Sequence, residues 1–403
     1  MTDDHHPSPS ADGADDTGHP KAGDGAGAKP TTAHADGGHA SPGRAGDEDD
    51  GPHPEADDTP THARVRWGPR VVLERFGLGL TGLLGVVVLG FVLLNSLQEL
   101  PVLGTAYETF LIGGAWMDYF LGTNVFRHPF MWHSLATGVL VGVVAPLVGT
   151  FVVHREMALI GETLAHTAFA GIAVGLVLVG LLGYEGPLLF VALVVAILGA
   201  LGVQWLADRT TTYGDVPIAI VLSGSFAIGT LLISYGRGQF AVAIDVESYL
   251  FGSISVVTAG GARTMATISL VVLAAVLWAY KPLVFITFDQ QAARVAQLPV
   301  DRYNTLLIVL TAIVVVGAIQ ILGVILVAAM LVVPVAAASQ LANSFRETVV
   351  LSVLFGEAAV LVGFAVSIAA GLPSGGSIVV VAIAWYLLAV LVSERSPRSV
   401  STY

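Results

Sequence analysis

From residue 76 onward the chain is a succession of apolar runs, each about as long as a bilayer is thick, and this leaves little choice of fold. In hydrocarbon every backbone N–H and C=O must find its partner inside the protein, so such runs become helices. Hydropathy places a first span near 76–97 and further spans near 132–153, 157–182, 187–207, 215–236, 260–280, 303–320, 322–342, 347–370 and 376–393. The 303–342 region is one nearly unbroken apolar run. A single helix of that length would overshoot the membrane, so it is divided at "GAIQILG". Between the first two spans, the stretch around 105–131 is amphipathic. Tyr107, Trp116, Tyr119, Phe120 and Trp132 in and beside it are the aromatic types that collect at membrane interfaces. The expected fold is an all-α polytopic membrane protein with about ten spans.

Charge agrees. Only 12% of the 403 residues are charged, against about a quarter in a soluble domain. The net charge of −12 belongs mostly to the first sixty residues. Residues 1–70 are rich in Asp, Gly, Pro, Ala and His, with too little apolar surface to offset the entropy of ordering, and are expected to be a disordered tail. They do not open with the basic stretch and short apolar segment of a signal peptide. The chain has no cysteine, which excludes disulfides, thiolate metal sites and thiol nucleophiles.

Basic residues test the span count independently. Alternating spans put Arg64, Arg66, Arg70, Arg75, Arg155, Arg209, Lys281, Arg294, Arg302, Arg346, Arg395 and Arg398 on one side of the membrane. Arg127, Arg237 and Arg263 fall on the other. The crowded side is expected to be cytoplasmic, so the chain is expected in the plasma membrane with both termini in the cytoplasm. Glycines such as Gly171 and Gly175 let helices approach closely, and Pro146, Pro217 and Pro334 are expected to mark kinks or broken helix ends.

Several stretches carry chemistry. In "LIGETLAHTAFAGIAVG", Glu162 and His166 stand four residues apart, on one face of a helix. Ionisable residues inside a span are costly and by default mark an ion path, and both types bind divalent cations. Alternatively, the two satisfy each other or Glu162 sits at the membrane entrance. Two ligands do not close a metal site, so others must come from another helix or a second copy. Asp245 and Glu247, in "AIDVESYLFG", either present carboxylates at an external mouth or belong to a solvated loop. "FDQQAARVAQLPVDRYN", 288–304, is long enough for a short cytoplasmic helix; Ala292, Ala293 and Ala296 form a small-residue face beside Arg294, suited either to docking a protein or simply to connecting spans. His5, His6, His19, His34, His39, His53 and His62 crowd the tail, either as auxiliary metal ligands or as part of a solvated low-complexity segment.

Absences narrow the function. The phosphate loop needs Gly-Lys-Ser/Thr, and the three lysines, Lys21, Lys29 and Lys281, follow Pro, Ala and Tyr. "HREMA" at 154–158 lacks the second histidine of a zinc protease. The expected protein is not an enzyme.

Four stretches together resemble the permease subunit of zinc/manganese ABC importers: "FVVHREMALIGETLAHTAFAGIAVG", "VESYLFGSI", "FDQQAARVAQLPV", and "ILGVILVAAMLVVPVAAASQLA" with "PSGGSIVV". The resemblance covers roughly 126–393, in order. It implies a core of about nine helices over 126–395; the extra transmembrane helix and amphipathic connector read from hydropathy at 71–125 lie outside it. By position, Glu162 and His166 fall on the family's gating or ion-path carboxylate and histidine, and Asp245 on an acidic position before Leu-Phe-Gly. Phe288, Asp289 and Ala293 fall on the helix that engages the ATPase. Gln290 and Gln291 depart from positions where an acid is frequent, and Gln297 from one where glycine is frequent. The resemblance also implies a homodimer, a separate cytoplasmic ABC ATPase and an external metal-binding lipoprotein. Zn2+ or Mn2+ would be cargo, with no permanent cofactor and no nucleic acid. A permease for chelates such as siderophores or cobalamin and a proton-coupled secondary metal transporter stay open as alternatives.

Overall fold

The computed structural model describes residues 69–209, 216–240, 250–252, 257–324 and 326–394. The tail histidines, Asp245 and Glu247 lie outside these described residues. Among the described residues all regular structure is helical. The helices are α1 (Pro69–Ser96), α2 (Pro101–Leu121), α3 (Pro129–His154), α4 (Leu159–Leu182), α5 (Leu188–Arg209), α6 (Val216–Phe240), α7 (Ala259–Phe288), α8 (Gln290–Val295), α9 (Val300–Leu322), α10 (Val327–Leu341), α11 (Phe345–Ala370) and α12 (Ser374–Glu394).

Nine of the described helices are long and apolar enough to cross a membrane. The expected break in the 303–342 run is present at Gly323, but the helix beyond it is shorter than expected. α10 has 15 residues, which at 1.5 Å per residue is about 22 Å, short of a bilayer core of about 30 Å. It completes an antiparallel course without being a full span. α7 runs beyond the expected 260–280 and passes Pro282 to reach Phe288. Pro146 also lies within a continuous helix, whereas Pro217 opens α6.

α3 is apolar all round and is buried along nearly its whole length, as such a helix must be. It packs against α11, α7, α10, α9 and α1. α4 packs mainly on α6 and α5, and α9 joins the two groups by touching α3, α4 and α5. Small residues set these distances. A Cβ at Gly171 would meet the Ala192 backbone on α5 at 2.7 Å, and one at Gly142 would meet the Glu357 backbone on α11 at 3.2 Å.

One end of the bundle is organised around three glycine-bearing segments. Gly252 (φ 74°) and Gly323 (φ 75°) lie in the half of backbone space that side chains avoid. A Cβ on Gly252 would collide with the Ile321 carbonyl, and one on Gly323 with the Leu250 carbonyl. Ser374 donates to the same Ile321 carbonyl at 3.1 Å, while Gly375 leaves room for the carbonyls of Leu322 and Phe251. Leu-Phe-Gly, the α9–α10 break and Pro-Ser-Gly-Gly thus form one polar backbone junction. At the opposite end Phe345 packs on Phe151, His154 and Phe288, with ring centroids 5.3, 5.1 and 5.5 Å away. This brings the end of α3, the end of α7 and the start of α11 to one level.

α2 is peripheral. Trp116, Tyr119 and Phe120 are exposed and lie against one another, as interfacial aromatics do. Asp118 faces inward and gathers the turn that leads to α3. Its Oδ1 accepts from Thr123 Oγ1, Val125 N and Phe126 N at 2.8–2.9 Å, and its Oδ2 from Arg127 N at 2.8 Å.

Candidate functional site

Glu162 sits in the first turn of α4 and His166 one turn later, so helical spacing alone puts them on one face. Glu162 Oε1 and His166 Nε2 are 4.0 Å apart, too far for a hydrogen bond, and among the described residues His166 Nδ1 has no hydrogen-bond partner. The carboxylate is half exposed and the imidazole side chain 14% exposed. The pair is therefore open on one side. Its setting is firm: the Phe226 ring of α6 meets the imidazole edge-on with centroids 5.0 Å apart, and Thr167 shares a 3.1 Å hydrogen bond with Ser225. Among the described residues no three His, Cys, Asp or Glu side chains converge to hold a metal ion. A single chain supplies two potential ligands, one oxygen and one nitrogen, and leaves the remainder open.

The 288–304 segment forms the expected short helix. Asp289 caps α8 by accepting from Ala292 N at 2.8 Å. Phe288 is exposed to 63%. Arg294 lies on the outer surface, 3.6 Å from Asp301. Ala293, however, faces inward, fully buried against Ile286 and Val300. It seats the short helix rather than offering a surface, because the side chains flanking it turn outward. Gln297 takes φ 58° and ends α8 with bonds from Gln297 N to Arg294 O and from Leu298 N to Ala293 O. This is the left-handed helix ending that favours glycine. The sequence departure at Gln297 is thus absorbed by its backbone, which adopts the conformation glycine would take.

Two features escaped sequence reading. One is Arg155, at the corner between α3 and α4. Its Nε donates to Thr287 Oγ1 at 3.0 Å, its Nη1 to Asn304 Oδ1 at 2.7 Å and its Nη2 to Leu283 O at 3.3 Å. Burial pushes the guanidinium down to about 10, so it remains charged at neutral pH. A cavity of about 560 Å³ opens beside it, bordered by Glu156, Gln204, Pro217, Phe288 and Arg294. Neither Glu162 nor His166 is among the residues that border it. The other is Glu357, 2% exposed in mid-α11. Its signal was available in the sequence, as a lone acid within an apolar span. Arg155 stood in the sequence only as part of the arginine–methionine turn, and nothing in the sequence named its partners Thr287 and Asn304.

These features meet a consistent set of known proteins. The profile of the family described as "ABC 3 transport family" matches residues 127–393, which leaves α1 and α2 outside it. The manganese transport system membrane protein MntC of Listeria monocytogenes is 30% identical over 272 residues, covering 68% of this chain and 94% of that protein. MntC of Halalkalibacterium halodurans is 29% identical over 277 residues, covering 68% and 91%. Among solved structures, PsaBC from Streptococcus pneumoniae in complex with Fab superposes with a TM-score of 0.58 at 30% identity, covering 65% of this chain and 91% of that one. With two thirds of its length matched, including α3, α4 and the α8 segment, the chain belongs to the ABC 3 transport family.

Proposed function

We propose that this chain is the membrane subunit of an ATP-driven importer for a divalent transition metal, with manganese the first candidate and zinc the second. It is a transport subunit and not an enzyme; ATP hydrolysis belongs to a separate subunit. The observation that carries the reading is the half-open Glu162–His166 couple in a helix otherwise walled by apolar residues. A carboxylate oxygen and an imidazole nitrogen suit Mn2+ and Zn2+ alike. An incomplete set also suits a path, since a conducted ion must bind weakly enough to leave. A second copy of the chain is the natural source of the missing ligands.

The basic residues near the Arg155 end orient the protein, with that end and both termini cytoplasmic. The ATPase then meets α8 through Phe288 and the outward side chains around Arg294, while an external metal-binding lipoprotein delivers the ion at the Gly252–Gly323 end. Asp245 and Glu247 are candidates for the first contact there, and the tail histidines for auxiliary metal binding on the inside.

The test is metal accumulation by cells that depend on this importer. Glu162→Gln and His166→Ala should each abolish Mn2+ uptake while the protein still reaches the membrane and still holds its ATPase. Normal uptake in both variants would defeat the assignment of the path.

A further inference from the structure

Arg155 joins three parts of the chain that are far apart in sequence. Thr287 lies in the last turn of α7, just before α8, and Asn304 lies at the start of α9, just after it. One guanidinium therefore grips both stems of the α8 segment. On its backbone side Arg155 closes the end of α3, its N–H donating to Phe151 O at 3.2 Å, and α4 begins four residues later, at Leu159. The corner after α3 is closed by Glu156 N donating to Val153 O and Met157 N to Val152 O, both at 3.0 Å, and Ile160 N donates to Met157 O at once afterwards. This is the tight left-handed helix ending, with Glu156 at φ 59° in glycine's place. Glu162 lies within the first turn of α4. A shift of α8 toward or away from the bundle must move the Arg155 fork or break it, and moving the fork moves the start of α4.

We propose that Arg155 is a positioning residue that transmits displacement of the α8 segment to α4, and through it to Glu162 and His166. The proposal rests on the reading of α8 as the ATPase contact and of the Glu162–His166 pair as the ion path. The side chain suits the task because a planar fork can engage three acceptors at fixed angles, which a lysine ammonium cannot reproduce. Its acceptors are a hydroxyl, an amide and a backbone carbonyl, all neutral, so the link has no charged partner to lock it. The adjoining cavity leaves the stems room to move relative to the corner.

The experiment uses the assembled transporter in proteoliposomes, with radiolabelled Mn2+ uptake and ATP hydrolysis read on the same preparation. Arg155→Ala is expected to co-purify with the ATPase and hydrolyse ATP at close to the parental rate, while Mn2+ moved per ATP falls about tenfold, within the usual range of coupling between sites. Arg155→Lys should stay low, and Asn304→Ala, which removes the shortest contact, should fall severalfold. An unchanged ratio of uptake to hydrolysis in Arg155→Ala would overturn the proposal. So would a proportional loss of both with loss of the ATPase, provided Asn304→Ala assembles and keeps the parental ratio. Glu162→Gln is run in parallel. Normal uptake there would sink the ion-path reading while leaving the Arg155 ratio separately measured.

Discussion

Thr81 on α1 donates a 2.7 Å hydrogen bond to Oε2 of Glu357 in the middle of α11. The donor lies outside the family match and the acceptor inside it, so a polar contact in the membrane interior joins the extra helix to the transport core. Among the described residues Glu357 Oε1 has no partner, and the Thr81 hydroxyl is what remains to satisfy this carboxyl group.

Thr81→Val should therefore destabilise the protein by about 1–3 kcal/mol, the cost of leaving a buried polar group unsatisfied. In the double variant Thr81→Val, Glu357→Leu that penalty should largely disappear, since both polar partners are gone. Thermal unfolding in detergent, arranged as a double-mutant cycle, reads the coupling directly. Additive effects would show that the contact is not formed.

The Asp118 cap predicts a pH dependence. Burial alone would raise its pKa, but the amides of Phe126 and Val125, the Thr123 hydroxyl and the Arg127 amide together hold it well below the ordinary carboxylate value of 3.8. A group lowered in the folded state stabilises fully above its unfolded pKa and loses that contribution as pH falls through the folded one. Asp118→Asn should thus lower the melting temperature at neutral pH, with the difference from the parent shrinking only in strong acid. A constant difference across that range would contradict the cap.

Gln297→Gly should stabilise the protein. The left-handed conformation costs a side-chain-bearing residue roughly 1–2 kcal/mol, of which the greater freedom of glycine in the unfolded chain returns about half. A net gain of about 0.5–1 kcal/mol is expected, visible as a higher melting temperature, with ATPase co-purification unchanged.

Gly252→Ala and Gly323→Ala should each be far more damaging than Gly85→Ala, where a Cβ would meet nothing within 4 Å. At the first two sites the new methyl must occupy the space of a carbonyl group and the backbone must hold a disfavoured φ, so a loss above about 2 kcal/mol is expected. The yield of monodisperse protein after detergent extraction distinguishes them.

The sequence by itself determined the class of architecture and much of the candidate site. Apolar runs in a solvent without hydrogen-bonding capacity have to be helices, and a spacing of four has to put Glu162 and His166 on one face. The interruption near Gly323 was legible because the run was too long for the bilayer. The Asp289 cap, the buried side of Ala293 and the shortness of α10 were not, since hydropathy measures preference for lipid and is silent on which neighbour an apolar face meets. In a membrane protein that silence is severe, because lipid tails and leucine side chains are equally apolar and partners are chosen by close packing and isolated hydrogen bonds. Those choices are long-range. Only the tertiary structure brought Arg155 to Thr287 and Asn304, Thr81 to Glu357, and the three glycine-bearing segments to one junction, because each pairing depends on stretches more than fifty residues apart settling into a single packed arrangement.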